Sequence, residues 1–371
     1  MSHSTIKPQG EPTKTRFAHG NKSDFLKSLR AKIRRYFEQT GSTRYGNTKI
    51  YRKAILIGAL FLTAYLLCLS DPWPDPWALL PVAIVGICMT AFLFNVAHDA
   101  SHGAFSNKKA INQIMSYSWD FFGMSSYVWS LKHNLSHHSR TNVHGSDMDI
   151  EQGIWLRLDP HTERRWYHRW QHLYAPILYA HFAFFAILLR DFQMMSVERF
   201  GNKSITEHPR SGWISLIMGK LWFVLWFVVL PHWLIDRPWT EIALGQYLCL
   251  AIAGIYAVMT LVVPHINRGN SFPMPSENGV IEGSWAEHQV EATLDFAVDS
   301  KLAQWLTGGL NTHVCHHVFP NICHIHYRHL TRLIRETALE YGLNYRSYRF
   351  GEIIKSHFLF LRDLGRSELI I

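Results

Sequence analysis

The strongest chemical signature in this sequence is a set of clustered histidines. "NTHVCHHVFPNICHIHY", Asn311 to Tyr327, holds five of them in seventeen residues, with His313, His316 and His317 spaced H-x-x-H-H. Upstream, "HDASH" supplies His98 and His102, and "HNLSHH" supplies His133, His137 and His138. Helix positions three or four apart share a face, so each cluster aims at least two imidazoles one way. Neutral imidazole suits iron, zinc and copper, and one ion takes about four to six ligands, so eight converging histidines predict two metals. His265, in "LVVPHINRG" at the end of the last apolar run, is a ninth candidate.

A lone H-x-x-x-H is commonly a pair of surface histidines, but three clusters, two with an adjacent pair, argue for a shared site. "HDASH" lacks the glutamate of the zinc-protease motif H-E-x-x-H. A zinc hydrolase would need a carboxylate base, for which Asp99 is the one candidate in that cluster. Asp99, Asp147, Asp149 and Asp295 are expected to orient imidazoles by accepting their second N–H, and His288, His324, His326 and His329 are candidates for the same outer layer.

The elements that must position these histidines are apolar. Four segments qualify as membrane spans: Ala54 to Ser70, Ala78 to Ala97, 214–230 and 242–263. The first, at seventeen residues, covers roughly 26 Å as a helix, just enough to cross. "DPWPDPW", Asp71 to Trp77, and "PHWLIDRPW" read as tight turns between paired spans, with prolines to break the helix and tryptophans for the headgroup region. These loops hold one arginine between them, whereas residues 1–53 carry thirteen Lys or Arg against three acidic residues. By the positive-inside bias the basic end faces the cytosol, and so do all three clusters. A fifth apolar stretch, Tyr174 to Leu189, is expected to lie in the interface, because a crossing there would put the third cluster on the opposite face. Asn112 to Trp129 is likewise amphipathic.

The formal net charge is +9, but the apolar run from Ala54 points the basic arm at an anionic membrane surface and not at nucleic acid. Five cysteines, three of them in apolar runs, do not suggest a disulfide framework. No cleavable signal peptide is visible. The spans hold almost no ionisable residues, which argues against a metal transporter. The expected organisation is a basic cytosolic arm (1–53), a membrane domain (54–345) and a C-terminal tail (346–371). The fold class is an all-α integral membrane protein: four transmembrane helices in two hairpins, interfacial helices, and a cytosolic helical cap holding a dimetal site.

Three boxes of the form H-x(3,4)-H, H-x(2,3)-H-H and H-x(2,3)-H-H, with paired spans before and between them, resemble the membrane-bound fatty acid desaturase superfamily over roughly Ala54 to Tyr345. "HHSRTNVHGSDMDI" and "GGLNTHVCHHVFPNICHIHY" are similar to acyl-CoA and acyl-lipid desaturases of the linoleoyl-CoA, or front-end, type. The resemblance implies a non-haem centre of two iron ions that uses O2 and two electrons to remove two hydrogens from an acyl chain. Its ligands would be His98, His102, His133, His137, His138, His313, His316 and His317, and His265 would match the extra ligand after the last span. Front-end members usually carry Gln where this chain has His313 and often Glu where it has Cys315, so His313 brings the box closer to the delta-9 acyl-CoA type. The N-terminal region lacks the H-P-G-G of a fused cytochrome b5, which implies an external electron carrier such as cytochrome b5 or ferredoxin.

An unactivated methylene yields to no acid, base or nucleophile, so oxidised iron must supply reactivity while protein supplies orientation and dryness. An apolar tunnel below the metals is therefore expected, with Trp119, Phe121, Phe122 and Trp129 as candidate lining. The basic arm, with "SLRAKIRRYF" inside it, or Arg164, Arg165 and Arg169 could meet an acyl-CoA phosphate or an acidic electron carrier. A hydroxylase on the same scaffold and a non-catalytic metal-binding membrane protein are the rival readings.

Overall fold

The computed structural model describes residues 14–71, 76–150 and 153–366. The central part of "DPWPDPW", the first residues of the basic arm and the last of the expected tail fall outside them. Among the described residues, four helices are long and apolar enough to cross a membrane: Thr48–Ser70, Leu79–Ser101, Arg210–Leu234 and Trp239–Leu261. Each contains or overlaps an expected span. Asn47 starts the first, its side chain accepting a hydrogen bond from the Lys49 amide.

These helices differ in what surrounds them. Thr48–Ser70 turns most of its apolar surface outward, with Ile55 72% exposed, as suits a lipid-facing helix. Leu79–Ser101 is the most enclosed and packs between Thr48–Ser70 and Trp239–Leu261. Gly86 permits that second contact: a Cβ there would lie 2.5 Å from the carbonyl oxygen of Cys249. At the far end from His98, Arg237 pairs with Asp71, tying the two turn regions together.

The fifth apolar stretch is a bent pair, Trp166–Ala180 and Phe182–Met195, meeting at 60°. Neither half alone, at about 1.5 Å per residue, matches the roughly 30 Å hydrocarbon core. Asn112 to Trp129 is cut into short helices, Lys109–Ser116, Ser118–Phe121 and Ser126–Ser130.

Outside the apolar helices, the basic arm contains a helix, Asp24–Thr40, started by Ser23 and ended by Gly41 at φ +60°. Its buried stripe, Phe25, Leu26, Leu29 and Ile33, shares a core with Val314, Cys315 and Val318 around the third histidine box. The chain end read as a tail carries an amphipathic helix, Phe350–Arg366, whose Phe360, Leu361 and Leu364 pack on Ile150, Tyr179 and Val258. Three two-residue strand pairs pin loops, including Asp295–Phe296 beside Ser347–Tyr348. All five cysteines are free thiols.

Candidate metal centre

The nine candidate histidines reach one place from four local structures. His98 and His102 lie where the second apolar helix ends, His102 N–H donating to the His98 carbonyl at 3.2 Å. The second box is a π-helix, Leu131–His137, and the His138 amide bonds the His133 carbonyl five residues back at 3.0 Å. That wider turn, not the three-or-four spacing of an α-helix, brings His133 and His138 onto one face, Nε2 to Nε2 at 3.0 Å. His265 follows the last apolar helix by one turn. His313, His316 and His317 sit on the helix His313–Val318, whose first turn is anchored by Asp295 accepting the Val314 amide at 2.8 Å.

The imidazoles fall into two groups joined by a third. His98, His102, His133 and His316 bring one nitrogen each to within 4.8 Å of one another, as do His137, His265 and His317. His138 joins His316 and His317 in a third set that bridges them. His313 reaches the second group through His265, Nε2 to Nε2 at 2.7 Å, and His137 meets the same His265 nitrogen at 3.1 Å.

These residues fit metal ions. Both nitrogens of His98 and the Nε2 atoms of His102, His316 and His317 are buried without a hydrogen-bond partner, a costly arrangement unless something else satisfies them. An N–H···N bond explains one close pair of rings but not four nitrogens gathered within 4.8 Å of one another. Metal–nitrogen bonds of about 2.0–2.1 Å place neighbouring ligand nitrogens roughly 3–3.5 Å apart, near the Nε2 separations of the pairs His133–His138 and His137–His265. Electrostatics agree: burial pushes His102 down to about 4 and His313 to about 3. Burial and mutual proximity hold His133, His138, His265, His316 and His317 well below the ordinary imidazole value. The rings are therefore neutral, with a lone pair to give. At His137 burial acts downward, but the Asp147 and Asp149 carboxylates outweigh it and raise the group.

The outer layer corrects several expectations. Asp147 does orient a box histidine, accepting from His137 Nδ1 at 3.0 Å. Asp99 instead faces His324, with Nδ1 at 2.9 Å, because its side chain leaves the helix away from the other imidazoles. Asp295 takes the Val314 amide and the Tyr345 hydroxyl. Asp149 is held mainly by Lys132, with His137 Nδ1 at 3.5 Å. His288 bonds the Thr141 carbonyl, His326 approaches Tyr36, and His329 is exposed. The sequence reading missed Gln289 and Thr141, which hold His317 Nδ1 at 2.9 and 3.1 Å, and Leu310, whose carbonyl holds His313 Nδ1 at 2.8 Å. Nothing in their spacing marks them.

Beneath the histidines lies a largely apolar cavity of about 140 Å³. His98, His133, His137, His265 and His313 line one part of it, and Met89, Leu93, Phe182, Ala186, Ala253 and Leu261 line the rest. Trp119 and Trp129 belong to its wall, the two indoles stacked with centroids 4.8 Å apart. Phe121 and Phe122 do not line it: Phe122 is buried in the neighbouring core, and Phe121 is 38% exposed. Lys132, Asp149 and Arg190 give the wall one charged patch, with Arg190 also pairing to Asp149.

The fatty acid desaturase family model matches residues 74–349, well over half the chain. A sn-1 linoleoyl-lipid 6-desaturase of Synechocystis sp. is 31% identical, covering 96% of this chain and 99% of that protein. An acyl-lipid (8-3)-desaturase B of Dictyostelium discoideum is 31% identical over 93% of this chain and 76% of its own length. An acyl-lipid (8-3)-desaturase of Mortierella alpina is 30% identical over 92% and 78%. Apolar helices, clustered histidines and these matches agree: the chain belongs to the fatty acid desaturase family and is a membrane oxidoreductase.

Proposed function

We propose that this protein inserts a double bond into the acyl chain of a membrane lipid, with an acyl-CoA as the alternative form of substrate. The nine histidines would hold two iron ions, O2 would be consumed, and two electrons would come from an external carrier. The observation that carries this reading is the apolar cavity with five of the nine histidines in its wall. The names of the relatives, linoleoyl-lipid and acyl-lipid desaturases, support a lipid-borne chain.

The bound iron, with O2, would supply the oxidant needed for unactivated methylene C–H bonds. The chain's own residues do the rest. Met89, Leu93, Ala253 and Leu261 offer apolar contact that holds an alkyl chain and keeps water out. Trp129, whose ring lies 4.3 Å from that of His133, stiffens the wall beside the site and limits the chain's sideways freedom. Lys132 and Arg190, both paired with Asp149, make the cavity wall charged at the end that would meet the polar part of the substrate. Asp147, Gln289, Thr141 and the Leu310 carbonyl engage Nδ1 of His137, His317 and His313, so Nε2 of each would be the nitrogen left to hold a metal.

In this reading the four apolar helices span the membrane as two hairpins, and the bent pair lies in the interface. The histidines and the basic N-terminal helix face the cytosol, of a bacterial cell or of the endoplasmic reticulum. The Arg237–Asp71 pair at the opposite end supports placing both turns on the other side. The test is mass spectrometry of fatty acids, with double bonds located by derivatisation, from aerated cells fed candidate substrates. A new unsaturated acid with the parent chain and not with His316→Ala is the expected result. A hydroxylated acid in its place would replace desaturation by hydroxylation on the same scaffold.

A further inference from the structure

We infer that the outer face of the helix Asp24–Thr40 is the docking surface for a small acidic one-electron carrier protein, seated over the third histidine box and beside Trp285. The inference rests on the desaturase reading for the need it serves. The overall change is R–CH2–CH2–R′ + O2 + 2 e− + 2 H+ → R–CH=CH–R′ + 2 H2O. Two reduced carriers therefore each give one electron and leave oxidised, and the carrier must approach the buried histidines from outside.

Three observations point to this face. First, its charge is mainly basic: Lys27, Arg30 and Arg34 follow one another at helical spacing, all exposed, and with Lys22 they outnumber Asp24 in lining one open groove. The neighbouring helix Tyr327–Glu340 packs on the other side, where Lys32 pairs with Glu340, and leaves this face open. Asp24 and Glu38 are the exposed acidic groups on the helix itself. Such a field accelerates and orients the encounter with an acidic partner.

Second, the same helix covers the site. Its buried stripe packs on Val314, Cys315 and Val318, the residues interleaved with and following the third box histidines. At its N-terminal end the Gly20 carbonyl accepts the Trp285 amide at 2.9 Å, and the partly buried Trp285 indole donates to the carbonyl of His138 at 3.0 Å. One aromatic ring and one hydrogen bond thus connect the vicinity of the basic face to a histidine shared by both halves of the cluster.

Third, the face is wrong for a bilayer. A helix that lies on lipid presents large apolar side chains to it. Here Phe25, Leu26, Leu29 and Ile33 are all spent inside the protein, and none of the large apolar side chains exposed among the described residues lies on this helix. What remains outside is charge, which suits a soluble partner.

The test is equilibrium binding of an oxidised acidic [2Fe–2S] ferredoxin to the full chain in nanodiscs of neutral lipid, a readout that needs no turnover. The parent should bind at low ionic strength and weaken as salt rises. The triple reversal Lys27→Glu, Arg30→Glu, Arg34→Glu should bind at least about tenfold more weakly, with iron content and melting temperature kept as checks on its fold. Equal binding by parent and triple variant would overturn the proposal. So would a variant that keeps the ferredoxin but loses bound anionic lipid in mixed-lipid nanodiscs, since that would assign the face to the membrane. Failure of the desaturase reading appears separately, as absence of product when dithionite replaces the carrier.

Discussion

Replacing Asp147 by Asn tests whether the cluster is held ready for metal by its outer layer. Asp147 is fully buried, and its carboxylate oxygens stand 3.0 and 3.2 Å from His137 Nδ1. They also accept the amides of Asn142 and Asp149, each at 2.8 Å. The His137 Nδ1–H is thereby fixed, and Nε2 is directed at His265 Nε2, 3.1 Å away. An asparagine brings one oxygen and one NH2 group to three N–H donors, so at least one meeting becomes donor against donor. A hydrogen bond to a charged group is worth about 1.5–3 kcal/mol. At about 1.4 kcal/mol per factor of ten, that converts to roughly 10- to 100-fold in affinity, the range usual for partners of ligand histidines. The assay is anaerobic competition for Fe(II) between the purified protein and a chelator of known affinity. Asp99→Asn is the control, since Asp99 serves His324, which is outside the cluster. Unchanged iron affinity in Asp147→Asn, or a larger loss in Asp99→Asn, would refute the reasoning.

Three further outcomes follow from the packing. His357 is fully buried, faces the Ile266 carbonyl with Nδ1 and the Tyr179 hydroxyl with Nε2, and is pushed by burial down to about 4. Its folded value lies below its unfolded value of about 6.5, so the unfolded chain binds more protons between them; the stability is complete above pH 6.5 and drains away toward pH 4, by about 3 kcal/mol. Denaturant titrations should show a shallower fall over that window in His357→Gln than in the parent. Gly86→Ala drives a Cβ into the Cys249 carbonyl between two apolar helices and should cost about 1–3 kcal/mol, read as a lower melting temperature. Ala253→Leu narrows the cavity and should shift product toward shorter acyl chains at unchanged iron content, measured by competition between acyl lengths.

What the sequence made legible was local and chemical. Histidines are recognisable one by one, and their clusters carry the metal-binding pattern in a few residues, so all nine candidates meet in the structure. The apolar helices were equally plain, because burial in lipid demands composition over some twenty residues. Contacts that depend on where chain segments return were not. Gln289 and Thr141 hold His317 from 28 and 176 residues away, and no spacing rule relates them. Asp99 and Asp147 sit equally near histidines in sequence, yet only Asp147 turns toward a box. The second box needed a π-turn to align His133 with His138, which the α-helical spacing rule does not anticipate. Phe121 and Phe122 are adjacent in sequence to the cavity-lining Trp119 but face elsewhere, since short helices there change direction. The helix Phe350–Arg366 was hidden because its apolar residues are interspersed with charge and read as a polar tail.

The most direct measurement is the metal content of the purified chain, loaded anaerobically with Fe(II), beside His316→Ala. His316 stands in the group with His98, His102 and His133 and also with His138 and His317, so its loss touches both halves of the cluster. The desaturase reading requires two iron ions per parent chain and a clear fall in the variant. A single bound ion, or equal iron in parent and variant, would contradict it.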